Sequence, residues 1–232
     1  MFSGWLDNSL DDVGRVQARH AGRMLAEHDL RPEVAHVSAL ARAQETAHEM
    51  LREAGRDQVQ VRASWRLNER HYGAWQGASK YAMRMRHGDE DYRTIRRSRF
   101  GLPPAESVED HERLVADIAA RRSHGWSGVE VPRAESLDMV RARVLPYWRG
   151  AVEPDLADYR GVLVVAHSNS LRTLIMLLEG LDDEQIAQVN VPVAMPLVFE
   201  YGSGVADPAR CLEPDRAAVA AAEVAREGSA PS

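Results

Sequence analysis

His167 closes an apolar run, GVLVVAH, and is followed by the polar SNS before a helical pattern of leucines begins. In open α/β sheets ligands gather at the carboxyl ends of such strands, which places His167 for chemistry. A histidine satisfied by a neighbouring carbonyl accounts equally well for this stretch alone. The segment RLNERHYGAWQGASK gathers Glu69, Arg70, His71, Tyr72 and Lys80 around two glycines directly after a strand. A glutamate among cations is a candidate proton carrier, because neighbours and burial set its pKa; the alternative is a solvated turn with ordinary ion pairs. SALARAQET sets Arg42 in a first helical turn, where a cation opposes the helix dipole. An anion bound there would supply its reason, against an exposed arginine with no role. RTIRRSRF puts Arg96 beside Arg97. Adjacent helical residues do not share a face, so both forks reach one polyanion only from a loop or a helix end. The plain alternative is a solvated basic face. One histidine, one glutamate and several arginines suit metal-free phosphoryl transfer to or from a small anionic metabolite, with arginine and lysine balancing the charge. The inventory lacks a separate nucleophile, and His167 fits either that role or its electrostatic partner.

The elements that must position these groups follow a repeating β-α pattern. The chain has 232 residues, 44% hydrophobic and 28% charged, which suits one compact α/β domain. Residues 10–28 read as a helix, with Ser9 and Asp12 resembling a capping box. EVAHVSAL reads as a strand, RAQETAHEMLREAG as a helix closed by Gly55, and VQVRASWRL as a second strand. From about 78 to 135 the periodicity weakens, as in a lid-like insertion of short helices and loops. ESLDMVRARVLPYW is a helix capped by Ser136, residues 162–166 a strand buried on both faces, and a helix follows Ser170. PLVFEY is a last strand. The domain is expected to span 1–205, with 206–232 a weak helix and a mobile tail.

A net charge of -6 argues against a nucleic-acid partner. The single cysteine, Cys211, can form neither an internal disulfide nor a thiolate metal cluster, so a metal-free site in a reducing compartment is expected. No signal sequence or spanning segment is evident, which points to a soluble cytoplasmic protein without a membrane partner.

The segments FSGWLDNSL, SWRLNERHYGAWQG, RVLPYW, VLVVAHSNSLR, LEGLDDEQI and PLVFEY resemble, in order from residue 2 to about 201, the cofactor-dependent phosphoglycerate mutases of the histidine phosphatase superfamily. The resemblance implies an α/β fold with a mostly parallel sheet flanked by helices. It also implies a first-strand histidine that carries a phosphoryl group between the 2- and 3-hydroxyls of phosphoglycerate, primed by 2,3-bisphosphoglycerate. In that scheme Glu69 is the proton donor and acceptor, and His167 the cationic residue that stabilises the transferring group. Arg42, Arg70, Tyr72, Lys80, Arg96, Arg97 and Asn169 match residues that hold phosphate and carboxylate, and Ser3 and Gly4 match a ligand-contacting loop. His71, within the glutamate loop, and Ser168, which replaces the family's glycine beside His167, complete the expected binding set. Members of the family often associate, which admits a homo-oligomer.

The departure is the family's opening strand with its Arg-His-Gly-Glu motif, which would precede Phe2 and does not occur in this sequence. VPVAMP also lacks the family's threonine-glycine. Such a strand would lie beside residues 162–166, so those residues are expected to carry unpaired backbone groups at a cost in stability. The expected explanation is a true start upstream of Met1; the alternative is a remnant that no longer catalyses. The competing functions are an anion-binding or interaction protein and a broad phosphomonoesterase, against which the mutase-like NERHYG loop speaks.

Overall fold

The computed structural model describes residues 1–121, 124–202, 205–207 and 209–229. Residues 122–123 of the expected insertion, 203–204 at the end of the expected domain, and 208 and 230–232 of the expected tail lie outside these. Helix α1 (Asp12–Glu27) leads to strand β1 (Val34–Ser38), helix α2 (Ala41–Glu53) and strand β2 (Gln60–Ser64). Three helices follow in the insertion: α3 (Lys80–His87), α4 (Asp89–Arg97) and α5 (Val108–Ala120). Then come α6 (Leu137–Tyr147), α7 (Glu153–Asp158), β3 (Val162–Val165), α8 (Ser168–Leu178) and α9 (Asp183–Gln188). Four two-residue strands, β4 (Leu197–Val198), β5 (Tyr201–Gly202), β6 (Val205–Ala206) and β7 (Arg210–Cys211), precede α10 (Pro214–Arg226).

The central sheet is parallel, in the order β2-β1-β3. All five residues of β1 are buried, as befits the middle strand. On one face α1 and α2 bury Ala18, Ala21, Met24, Ala43, Ala47 and Met50 against Ala35, Val37 and Val165. Gly22 allows the two helices to approach closely, since a Cβ there would run into the carbonyl of Met50. On the other face Val140, Val144 and Leu174, from α6 and α8, pack with Val162 and Val164. Each such aliphatic side chain contributes roughly 1.5–3 kcal/mol by leaving water. His36, fully buried on β1, is satisfied by the Tyr147 hydroxyl at 2.9 Å and by Asp155 at 2.9 Å.

Several expectations need correction. Asp11, rather than Ser9, caps α1, accepting from the Gly14 amide at 2.7 Å. Ser136 caps α6 as expected, accepting from Met139. Helix α8 begins at Ser168, ahead of Ser170. Strand β3 is not buried on both faces: Val162, Leu163 and Val164 are only half-buried. The physical reason is position, because among the described residues β3 pairs with β1 alone and forms the rim of the sheet. PLVFEY contributes two short antiparallel pairings, β4 with β7 and β5 with β6, and does not join the parallel sheet. Among the described residues no helix is long and apolar enough to cross a membrane.

Candidate active site

The carboxyl ends of β1 and β3 meet at Ser38 and His167. The Ser38 hydroxyl donates to Asn68 Oδ1 at 2.9 Å, leaving its oxygen to accept from His167 Nε2 at 2.8 Å. His167 therefore carries its proton on Nε2. Burial, and then the guanidinium groups of Arg42 and Arg143, hold its imidazole well below the usual histidine range. The resemblance implies a cationic His167, whereas these surroundings favour the neutral ring in the unliganded cleft. Just beyond it, Ser170 exchanges hydrogen bonds with the His167 backbone and closes the start of α8. The positive end of that helix is a favourable place for an anion.

Glu69 approaches from the loop after β2. Its Oε1 accepts from the Arg70 amide at 2.7 Å, the Asn169 amide at 3.2 Å and Asn169 Nδ2 at 3.0 Å. The same Nδ2 donates to the Tyr72 hydroxyl at 2.9 Å. Beneath the loop, Arg143 forms a two-pronged pair with Glu135, at 2.7 and 2.9 Å, and donates to the carbonyls of Arg66, Asn68 and Glu69. Glu135 also receives the His71 amide at 2.8 Å, and Trp5 Nε1 donates to the Glu69 carbonyl at 2.6 Å. The carboxylate is thereby aimed by a buried frame.

A cleft of about 350 Å³ opens between these groups. It is lined by Glu69, His167, Ser3, Gly4, Arg42, Tyr72, Lys80, Arg96, Arg97, Ser168 and Asn169, and so gathers eleven of the thirteen residues singled out in the sequence. Arg42 reaches across to donate to the carbonyls of Gly4 and Leu6, at 2.8 and 2.7 Å. Gly4 has φ +47°, and a Cβ there would clash with the Gln76 amide, so this loop requires glycine. Arg96 and Arg97 are the last two residues of α4, the helix end that lets adjacent forks point one way.

Arg70 and His71 do not line the cleft. Arg70 is fully buried and spends its guanidinium on the carbonyls of Glu135, Ile95 and Gly101. His71, also fully buried, accepts from the Gly73 amide on Nδ1 and faces Gln76 through Nε2. Burial pushes its pKa down to about 4. Both residues support the loop from behind and offer no side-chain atom to a ligand. Ser168 enters the first turn of α8 with ordinary helical backbone, so the serine for glycine exchange brings no strain. Ala194 differs: it lines the cleft with φ +52°, in the left-handed region, within the VPVAMP segment.

Sequence reasoning passed over Glu227. This residue follows α10, and its carboxylate lies 2.5 Å from Lys80 Nζ and 2.9 Å from Arg96 Nη2, while its carbonyl accepts from Tyr92 and Arg96. No signal in the alanine-rich tail marks it. Glu135 and Arg143 were also missed, although ESLDMVRAR places them eight residues apart, a spacing close to two helical turns. Among the described residues no group of three or more His, Cys, Asp or Glu side chains could hold a metal ion.

The chain matches the histidine phosphatase superfamily (branch 1) over residues 1–122 and 111–210. It is 41% identical to the 2,3-bisphosphoglycerate-dependent phosphoglycerate mutase of Clavibacter sepedonicus, across 99% of this chain and 91% of that protein. The protein of the same name from Thermobifida fusca is 45% identical, across 86% of this chain and 80% of its own length. Among solved structures, a mycobacterial glucosyl-3-phosphoglycerate phosphatase superposes with a TM-score of 0.63 at 22% identity, covering 90% of this chain and 88% of that one. YhfR of Bacillus stearothermophilus gives 0.62 at 19% identity, covering 89% and 86%. These distant likenesses speak for the fold, while the sequence relatives cover both the β3–α8 histidine turn and the Glu69 loop. With its parallel sheet delivering a histidine to a cation-lined cleft, the chain belongs to the histidine phosphatase superfamily.

Proposed function

We propose that this protein is a phosphoglycerate mutase, an isomerase that interconverts 3- and 2-phosphoglycerate in glycolysis and gluconeogenesis in the cytoplasm. The observation that carries this reading is convergence: Glu69, His167, Arg42, Lys80, Arg96 and Arg97 line one cleft although they come from five separate elements. The cleft also fits 2,3-bisphosphoglycerate as the priming cofactor. Its cations outnumber the carboxylates facing it, and the positive end of α8 adds partial charge. Arg42 and the first turn of α8 would hold one anionic group, and Lys80, Arg96 and Arg97 another. Glu69, braced on Oε1, would exchange a proton with a substrate hydroxyl. His167, supported by Ser38, would contact the phosphoryl oxygens and gain a proton as their charge approaches.

The relay histidine implied by the family is a separate matter. The sequence contains no Arg-His-Gly-Glu, and His167 is the single histidine lining the cleft among the described residues. That observation favours a second reading, an anion-binding or interaction protein without turnover. Calorimetry with 3-phosphoglycerate and 2,3-bisphosphoglycerate, followed by a coupled assay for 2-phosphoglycerate after priming, separates the possibilities. Binding with isomerisation supports the mutase, and binding without it supports the second reading. Release of inorganic phosphate from varied esters would point to a phosphomonoesterase. Absence of binding to either glycerate would sink the mutase and the anion-binding readings. The assembly state is proposed as a homo-oligomer, testable by light scattering.

A further inference from the structure

Arg172 is a buried cation to which the reading above gives no task. It is 3% exposed and lies in the second turn of α8. Its described hydrogen bonds all go to uncharged oxygens. Nη2 donates to the Ile186 carbonyl at 2.7 Å and the Arg97 carbonyl at 3.1 Å, and Nη1 to Asn169 Oδ1 at 3.2 Å, with the Arg96 carbonyl at 3.5 Å. Among the described residues its Nε finds no partner. Burial and the nearby Arg97 lower its pKa to about 10, so it stays charged at neutral pH.

These contacts act on two parts of the cleft at once. The last carbonyls of a helix lack partners within it, and Arg172 satisfies those of Arg96 and Arg97, fixing the final turn of α4 that carries the arginine pair. By donating to Asn169 Oδ1 it also decides which way that amide faces, so that Nδ2 meets Glu69 and Tyr72. A flipped amide would set its NH2 against a guanidinium. Arg42 stands apart from this arrangement, because its anchors are the Gly4 and Leu6 carbonyls.

We propose that Arg172 is a positioning residue that sets the Arg96–Arg97 pair and the Asn169 amide together, so that the cleft discriminates a two-ended anion from a lone phosphate. The inference rests on the reading of the cleft as a site for phosphorylated glycerates. Lysine at this position keeps the charge, but its one nitrogen cannot replace the two guanidinium nitrogens that together reach four oxygens on α4, α8 and α9.

The test is calorimetry of the wild-type chain, Arg172→Lys and Arg172→Met with 2,3-bisphosphoglycerate and with inorganic phosphate, alongside hydrogen exchange of residues 94–101. The expected result is a loss of about tenfold or more for the bisphosphate in both variants, less than about threefold for inorganic phosphate, and faster exchange across 94–101. Bisphosphate affinity retained by Arg172→Lys overturns the proposal, as does an equal loss for both ligands accompanied by a general fall in stability. Should neither variant fold, NMR of the wild type still decides: contacts from the Asn169 side-chain NH2 to the Tyr72 ring are required, and their absence overturns the proposal. A wild-type chain that binds neither anion removes the functional reading first, and this inference with it.

Discussion

The two carriers of the cleft's chemistry are held by different means. The Glu69 loop rests on a buried frame, in which the Arg143 and Glu135 side chains are 8% and 3% exposed and every prong has an acceptor. The Lys80–Arg96 corner is closed by Glu227, whose side chain is 37% exposed and comes from the last turns of the chain. A desolvated, fully paired network is costly to break, whereas a half-exposed ion pair exchanges readily with solvent or with another anion. The proton carrier is therefore fixed in place, and the charge-binding wall is held by a replaceable carboxylate.

Breaking the buried side should give the largest effect. Glu135→Gln leaves Arg143 without its charge partner, and Arg143→Met leaves the Glu135 carboxylate with the His71 amide but no cation; either should cost about 3–5 kcal/mol in urea unfolding. A loss below about 1 kcal/mol would place the frame in the same class as the Glu227 contact and erase the contrast.

Acid should weaken the buried side next. His36, His71 and His167 all have lowered pKa values, chiefly through burial. Below about pH 6.5 the unfolded chain takes up protons that the folded chain refuses, so stability is full near neutrality and declines as pH falls toward the folded pKa, about 4 for His71. His71 alone should contribute a fall of roughly 3 kcal/mol over that range. Urea midpoints between pH 7.5 and 4.5, with NMR titration of the imidazoles, would check it; a His71 ring titrating near 6.5 would contradict the burial argument.

The replaceable side calls for the opposite outcome. Glu227→Gln should raise affinity for 2,3-bisphosphoglycerate by about threefold while moving the thermal midpoint little, since exposed pairs are worth about 0–1 kcal/mol. Weaker binding in this variant would show that Glu227 builds the site instead of competing for it. The smallest effect is expected at Ala194→Gly. Relief of the left-handed backbone, about 1–2 kcal/mol, is largely offset by glycine's entropy, leaving a gain of under about 1 kcal/mol in a thermal melt.

Much of the site was readable because its residues sit at element boundaries that punctuate the sequence. His167 ends an apolar run, Arg42 opens a helix, and Arg96 and Arg97 end one, so topology brings them to one edge of the sheet. Arg70 and His71 were misplaced for a local reason. In a loop that turns through short 3₁₀ segments there is no fixed period, so sequence alone does not say which side chains turn inward. Arg143, Arg172 and Glu227 were hidden for the reverse reason. Each acts through backbone carbonyls or charges distant along the chain, and those partners are set by packing. The fold class was legible from the alternation of apolar runs and amphipathic helices, whereas PLVFEY looked like a core strand because its composition does not reveal which neighbour it would pair with.

The rim position of β3 bears on how the protein should be handled. Its outward amides and carbonyls are bordered by half-buried valines and a leucine, with no charged side chain along Val162–Val165 to repel an incoming chain. Association should therefore set in with rising concentration before it sets in with heat, and because Val162 and Val164 pack toward α6 and α8 and Leu163 toward α1 and α2, a charge placed on the strand itself would enter the core instead of guarding the rim.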